Sequence, residues 1–471
     1  MPTKVIVIGA GASGLIAAIS AARAGAEVTV LEAQKKAGRK LLVTGNGRCN
    51  LSSTDPMLPE KYHGSGAGLA KRLTAEKMDV AATLAFFHEL GLLTTEKNGG
   101  IYPYTMQASS VLDVLLAETR RLRVKMKFSQ EITGILPPRE DNSSESCYQI
   151  VTPGWIYKAD AVILACGSFA SDKTEPFSGV CQPQNRSENA DASSYRASVT
   201  GHYRSGLELA ESLGHSIVKP RPALVPLVCM GDFPERSCAG VRCHAKVTLL
   251  HSSSGFWTDT TTEVLASETG ELQWTNYGLS GIVIFQLSRF LYSAKAQKED
   301  LKNASVSRKV PPQTQRHPLV NYVVNIDFFP EYEESELETL LKKRAGELSK
   351  EPSSVLLRGF LNEKLIPLVL QRAGMGHSPA YCSEISDEYI KDLVITVKNY
   401  RMMVEGTKSF DQAQVCAGGV DCAEVTDQLE SRLHRKLYFA GEMLDVDGPC
   451  GGYNLQWAWT SGYLAGKYAT E

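Results

Sequence analysis

Lys4 to Ile8 is a continuous β-branched run of the kind buried on both faces of a parallel sheet, and it leads directly into Gly9-Ala10-Gly11-Ala12-Ser13-Gly14. The next segment, Leu15 to Ala24, is rich in alanine with apolar residues at helical spacing, and Gly25 stands where a C-cap glycine belongs. A second strand, Glu27 to Leu31, follows and ends at Glu32, 18 residues after Gly14. In a chain with 39 glycines, G-x-G-x-x-G alone would be weak. With a strand before it, a helix after it and an acid at that distance, it specifies a βαβ unit that binds a dinucleotide.

Each position has a physical task. Gly9 permits the tight turn, Gly11 lets backbone approach a pyrophosphate, and Gly14 lets the helix pack close to the strand. The amides of Ala10, Ala12 and Ser13 open the helix, whose N-terminus faces the negative charge. Glu32 is placed to hold the ribose hydroxyls of the adenosine half, and its carboxylate would repel a 2'-phosphate. FAD or NAD is therefore favoured over NADP at this site.

A second glycine-punctuated loop, Gly38 to Asn50, separates FAD from NAD, because simple NAD domains lack it. Arg39 and Lys40 are expected to face the diphosphate. The turn Gly45-Asn46-Gly47-Arg48-Cys49-Asn50 is expected to bring backbone amides to the far end of the cofactor. The alternative is a solvated basic loop. The unit continues as α/β, with a helix over Ser110 to Arg121, strands over Val124 to Phe128 and Glu131 to Leu136, and a hairpin of Cys147 to Val151 with Trp155 to Lys158. Ile132 is taken as a cofactor contact. The buried strand Ala161 to Ala165 ends in Cys166-Gly167-Ser168, either a second cofactor contact or an ordinary strand end.

Near the other end, the strand Lys436 to Ala440 is followed by Gly441-Glu442, then by a loop reaching Gly451-Gly452-Tyr453-Asn454-Leu455, where a helix starts and runs to Tyr468. Glu442 is suited to accept hydrogen bonds from the ribityl hydroxyls of a flavin, a chain that NAD does not possess. The glycine-rich loop presents N–H groups and a positive dipole end to the flavin pyrimidine edge, which becomes anionic on reduction.

Bulk properties narrow the partners. A length of 471 residues implies two or three structural units. The net charge of −2 supplies no global field for nucleic acid or an anionic membrane. No stretch reaches about 18 uninterrupted apolar residues. The 11 cysteines are scattered, include no C-x-x-C pair and follow no secretory signal, so reduced thiols and a cytoplasmic location are expected. The histidines, among them His88, His215, His244 and His377, show no metal-ligand spacing, and no metal is expected.

Gly38-Arg-Lys-Leu-Leu42, Thr44-Gly-Asn-Gly-Arg-Cys-Asn50, Ala413-Gln-Val-Cys-Ala-Gly-Gly-Val420 and Gly441-Glu-Met-Leu-Asp-Val-Asp-Gly448 resemble the bacterial bile-acid-type or aminoacetone-oxidase-like NAD(P)/FAD-dependent oxidoreductases. The resemblance covers most of the chain. It implies an α/β fold in which a Rossmann-type FAD-binding domain, discontinuous and built from both chain ends, is interrupted by an inserted β-barrel-like domain with a small helical subdomain. Residues 1–219 and 411–471 would form the FAD domain, 220–332 the barrel, 333–392 the helical subdomain and 393–410 a return strand of the insert. The residues agree: short β-like runs follow Pro220-Arg-Pro222, at Leu224 to Cys229, Ala245 to Leu250 and Gly255 to Thr258; Glu333 to Leu370 reads as helices; and strand character resumes at Leu393 to Val404.

The chain also departs from that family. Where the family shows Thr-His-x-Gly-x-Ser-Gly-Pro, this chain has Thr275-Asn-Tyr-Gly-Leu-Ser-Gly-Ile282, so no histidine role carries over. Cys166-Gly-Ser168 replaces the usual Thr-Gly-Gly, and Thr200-Gly-His-Tyr-Arg-Ser-Gly206 replaces Thr-Gly-Asp-Gly. Ser171 to Ser198 reads as a polar loop.

A flavin carries its own redox chemistry, so the protein need only bind, orient and tune it. The expected function is an FAD-dependent oxidoreductase, a reductase or dehydrogenase passing hydride between NADH or NADPH, flavin N5 and a small organic substrate. The nicotinamide is a transient visitor, since no second strand-borne fingerprint is present; Gly64-Ser-Gly-Ala-Gly68 follows no clear strand. Two alternatives stay open: an oxidase producing hydrogen peroxide, and a non-catalytic flavin-binding protein. No residue is assigned as catalytic; Tyr453, Cys49 and Arg48 are the candidates for a proton donor, each with a structural duty as its alternative.

Overall fold

The computed structural model describes residues 1–138, 147–168, 205–229, 237–252, 262–292, 321–374 and 380–471. The segments Ser171 to Ser198 and Gly255 to Thr258, and the first five residues of the Thr200 to Gly206 turn, lie outside them. The chain divides into two compact units, Met1–Arg221 with Gln414–Glu471, and Pro222–Ala413.

The first unit is organised by a five-stranded parallel sheet. Lys4–Ile8 lies at its centre between Ala161–Leu164 and Glu27–Leu31, with Leu437–Phe439 and Lys125–Lys127 at the edges. Two strands that begin 433 residues apart, Lys4–Ile8 and Leu437–Phe439, thus share one sheet, each paired to Ala161–Leu164. The central strand is apolar and buried from Val5 to Ile8, with the helix Ala12–Arg23 and the strand Ile156–Ala159 both against it.

The opening helix, Ala12–Arg23, is buried continuously from Ser13 to Ala21, and the C-terminal helix, Tyr453–Tyr468, lies against it. Small residues make this approach possible. A Cβ on Gly462 would stand 3.0 Å from Ser13 C, one on Gly466 2.9 Å from Ala17 C, and Ser20 Oγ donates to Tyr463 O at 2.7 Å. The segment Glu131 to Leu136 is strand only over Gly134–Leu136, which pairs antiparallel with Tyr148–Val151, itself paired with Ile156–Ala159.

The second unit holds a closed antiparallel barrel in the order Leu227–Cys229, Gly278–Ser280, Thr262–Trp274, Arg242–Ser252, Tyr322–Asp327, Tyr400–Thr407. Alternate residues Ala245, Val247 and Leu249 fill its interior, and Trp274 stacks on Phe328 at 6.4 Å while meeting Tyr400 edge-on at 5.9 Å. Gly278 and Gly281, both at positive φ, stand where a Cβ would meet the backbone of Cys229 at 2.7 Å and of Gln273 at 3.0 Å. The Thr275 to Ile282 segment is therefore a barrel corner.

The helices of this unit include Glu334–Glu347, Ile366–Arg372 and Asp387–Lys398. The last corrects the sequence reading, which has strand from Leu393 and a return strand over 393–410. Ser386 caps the helix through the Tyr389 amide, and Ile390, Leu393, Val394 and Val397 recur at i, i+3, i+4, i+7, one buried helical stripe. β-branched side chains mimic a strand there; the capping serine and the period overrule them. The strand begins only at Tyr400. No helix among the described residues is long and apolar enough to cross a membrane.

Candidate functional site

The turn from the first strand to the opening helix is built as the fingerprint requires. Gly9 has φ 106° and donates its N–H to Leu31 O at 2.8 Å; a Cβ there would lie 2.8 Å from Ala165 C. Around a Cβ on Gly11 there is no atom within 4 Å, so its backbone faces open space. Gly14 touches the Gly9 carbonyl so closely that a Cβ would stand 3.0 Å from Gly9 C and nearer still to its oxygen. Ala10 and Ser13 are buried, and Ala12 begins the helix.

Glu32 sits at the end of its strand and turns back over this loop, accepting N–H bonds from Ala10 at 2.7 Å and from Gln34 at 2.8 Å. The second loop is tied to the first by Gly38 N–H to Ala10 O at 2.9 Å, and Arg39–Val43 forms a single helical turn. Lys40 pairs with Glu442 and donates to Ser168 Oγ at 3.2 Å, while Ser168 donates to the same Glu442 oxygen at 3.0 Å. One lysine therefore joins the second loop, the turn after the buried strand and the C-terminal return. Gly441 donates to Ser461 Oγ at 2.9 Å and has φ 66°, and a Cβ there would lie 2.6 Å from Ser13 Oγ. These residues from four chain segments form one cradle.

The remaining expected residues distribute differently. Gly45, Asn46, Gly47 and Cys49 all have positive φ, so this turn winds left-handed. Cys49 is fully buried and burial pushes its thiol up to about 12, which leaves it protonated and inert. Burial raises the Cys166 thiol in the same way, to about 12. Asn50 Oδ1 accepts the Ile101 N–H at 3.1 Å, a bond that holds a neighbouring strand. Arg39 and Arg48 are exposed, Ile132 is buried, and Gly167 has φ 74° with open space around it.

Gly451 and Gly452 have φ 120° and 100°, and a Cβ on Gly452 would stand 2.5 Å from Ser52 C. Asn454 closes the loop through Gly448, accepting its N–H and donating to its carbonyl, both at 2.8 Å. Leu455 is half-buried against the core. None of the described cysteines is in a disulfide, and no three His, Cys, Asp or Glu among the described residues gather as a metal set.

Several residues of the site have no role assigned from the sequence. Asp445 is buried and receives the N–H of Ser65 at 2.7 Å and of Gly418 at 3.0 Å, clamping the Gly64–Gly66 loop to the return. Trp457 Nε1 donates to Gly441 O at 3.2 Å. Gln456 is a buried hub for Ser52, Thr83 and Thr460. Asp445 and Gln456 act across 380 and 404 residues, which no local pattern marks, whereas Trp457 reaches Gly441 over 16.

A glycine turn at a helix N-terminus, an acid on the adjoining strand, and a second glycine turn opening another helix suit a dinucleotide with a polyol arm. The chain matches the HI0933-like protein Rossmann domain over residues 3–176 and 193–468. It belongs to the HI0933-like family. Within this family-wide likeness it is 37% identical to the 3-dehydro-bile acid delta(4,6)-reductase of Clostridium scindens over 99% of each chain. It is 26% identical to the ribosomal RNA dihydrouridine synthase of Haemophilus influenzae, over 97% of this chain and 96% of that one. Among solved structures, the 3-ketosteroid delta1-dehydrogenase of Sterolibacterium denitrificans aligns over 99% of both chains at 13% identity and a TM-score of 0.45. This HI0933-like protein is a flavoprotein of the oxidoreductase class with a Rossmann domain for FAD.

Behind the cradle, His215 is buried with Nδ1 3.1 Å from Glu424 Oε2 and Nε2 2.9 Å from Ser431 Oγ. Burial lowers its proton affinity more than Glu424 raises it. Glu424 itself is lowered despite partial burial, through Ser216 and His215. The unfolded chain takes up protons at an ordinary histidine pKa of about 6.5 while folded His215 resists them. Stability from this residue is thus present above that pH and lost as pH falls through it. The urea midpoint is expected to drop between pH 7 and 5.5, and His215→Asn to flatten that slope; an unchanged slope would exclude His215 as its source.

Proposed function

We propose that this protein reduces a carbon–carbon double bond conjugated to a carbonyl in a small fused-ring substrate, with NADH or NADPH as the hydride source. The observation that carries the reading is the likeness to the bile-acid reductase along the whole chain, barrel unit included, so that it is not confined to the cofactor segments. FAD, when bound, supplies two-electron chemistry, and the chain supplies its setting. Glu32 would take the adenosine ribose, the amides opening the first helix the diphosphate, Glu442 the ribityl hydroxyls, and the Gly451–Gly452 amides the pyrimidine edge. Lys40, held on Glu442 and Ser168, would keep that carboxylate oriented.

The test is an anaerobic absorbance spectrum of the purified protein on adding NADH, then NADPH, then a 3-oxo-4,6-diene bile acid. Bleaching by a nicotinamide and recovery with the diene are expected. Recovery only with dioxygen would favour an oxidase, recovery only with ribosomal RNA would move the substrate to nucleic acid, and a flavin that nothing turns over would favour a binding protein.

A further inference from the structure

Beside the loop that opens the C-terminal helix, three titratable side chains stand in file. Tyr453 Oη donates to Asp55 Oδ2 at 2.5 Å, and Lys61 Nζ donates to the same oxygen at 2.6 Å. Asp55 Oδ1 accepts the Met57 N–H at 2.9 Å, and the Asp55 N–H bonds Ser53 Oγ at 3.2 Å, so the carboxylate is held by its own turn. The Lys61 ammonium lies 5.9 Å from the Tyr453 ring centroid. Tyr62 Oη donates to the Tyr453 carbonyl at 2.9 Å, which anchors the tyrosine backbone.

Exposure rises along the file. Tyr453 is 6% exposed, the Asp55 side chain 22% and the Lys61 side chain 47%. The line therefore runs from the first residue of the helix out to solvent. A clamp between loop and helix would need one charged hydrogen bond; here a single carboxylate oxygen is shared by a phenol and an ammonium, both at charge-assisted distances. The titratable groups facing Tyr453 are Asp55, Lys61 and Tyr62, with the Ser53 hydroxyl beside them. Burial and the Asp55 bond keep the phenol protonated, while Lys61 opposes them by favouring the phenolate. Asp55 stays ionised, lowered to about 2 by Lys61 and Tyr453.

We propose that Tyr453 is the proton donor of the conjugated-bond reduction, and that Asp55 and Lys61 are positioning residues that recharge it from solvent. This rests on the reading given under Proposed function. The balance is closed. The substrate π bond breaks; one carbon forms a C–H bond with the hydride whose two electrons come from the reduced nicotinamide. Its conjugated neighbour forms a C–H bond with the proton released when the Tyr453 O–H bond breaks. An N–H proton of Lys61 passes across the Asp55 carboxylate to the phenolate, and water restores the ammonium.

The experiment uses the FAD-loaded full chain and the variants Y453F, D55N and K61M. Rapid mixing follows flavin bleaching by NADPH and, separately, recovery with the 3-oxo-4,6-diene bile acid over a range of pH. General-acid catalysis is worth on the order of 100-fold or more, so Y453F is expected to slow recovery by at least that factor and to lose its solvent deuterium isotope effect. D55N and K61M are expected to slow recovery about 10-fold and to move the alkaline limb of its pH profile in opposite directions. The tyrosinate band of wild type minus Y453F reads Tyr453 without turnover: its midpoint should fall in D55N and rise in K61M.

Recovery of Y453F at the wild-type rate would overturn the assignment. So would variants that lose flavin occupancy and urea stability while the rate per bound flavin and the pH profile stay put, the signature of a clamp. Should no enone reoxidise the wild-type flavin, the functional reading fails by itself, and a Tyr453 midpoint unmoved by D55N and K61M would separately overturn the file.

Discussion

Gly14→Ala is expected to lower the stability of the first unit by about 1–3 kcal/mol and to leave the purified protein colourless. The added methyl group would stand 3.0 Å from Gly9 C and closer to its oxygen. That oxygen is backbone of a turn already at φ 106° with its N–H spent on Leu31, so it has nowhere to retreat. The opening helix must slide outward instead, and it cannot do so cheaply, because Gly462 and Gly466 of the C-terminal helix are pressed against Ser13 and Ala17 on its other side. The helix N-terminus would then no longer point its amides at a diphosphate.

Gly11→Ala is the informative companion. No atom lies within 4 Å of that Cβ and φ is −83°, so the fold should tolerate it. If backbone at Gly11 approaches the cofactor, this variant loses flavin at unchanged stability, whereas Gly14→Ala loses both. Urea unfolding and the ratio of absorbance at about 450 nm to that of the protein band separate the cases. A yellow Gly14→Ala protein of wild-type stability would mean that helix and strand are not packed as described.

Gln456→Leu should cost about 3 kcal/mol in urea unfolding, although leucine matches the volume closely. Gln456 is fully buried, with Oε1 accepting from Ser52 Oγ at 2.7 Å and Nε2 donating to Thr83 Oγ1 at 2.7 Å and Thr460 Oγ1 at 3.1 Å. Ser52, Thr83 and Thr460 are themselves buried; a leucine would strand the Ser52 hydroxyl, which donates to Gln456, and remove the amide that Thr83 and Thr460 accept, while Thr460 keeps its own bond to Met78 O at 2.8 Å. The effect should reach the cofactor, because the Ser52 backbone is what Gly452 packs against at the mouth of the C-terminal helix. Weaker FAD binding is therefore expected together with the lost stability. A cost below about 1 kcal/mol would mean that the Ser52 hydroxyl finds another acceptor.

The same chain shows where local pattern is trustworthy. The strand, turn and helix from Lys4 to Arg23 are legible because every requirement there is local: β-branched burial, glycines at the turn and helical spacing after it. The segment Leu393 to Lys398 is misleading for the same reason, since its β-branched residues satisfy a strand's preferences while Ser386, seven residues before, commits the chain to a helix. Cys49 looks reactive in a glycine-rich loop, but burial removes it from chemistry. The Asn50 side chain holds the Ile101 amide, a bond that no local pattern marks.

What the sequence by itself determined is the dinucleotide turn, its acid at Glu32, the glycine loop that opens the last helix and the family these motifs mark, because each depends on residues within a few turns of one another. Only the tertiary structure decided that Lys40 meets Glu442, that Gln456 holds Ser52, that Asp445 clamps Ser65, and that Tyr453, Asp55 and Lys61 line up. The two partners of most of these pairs are separated by nearly the whole chain, 402, 404, 380 and 398 residues for the first three and for Tyr453 with Asp55. The parallel sheet brings them together by seating its last strand two places from its first. Local spacing carries no trace of such pairs, since burial and hydrogen-bond geometry are set by which surfaces meet, and that is settled only when the sheet closes.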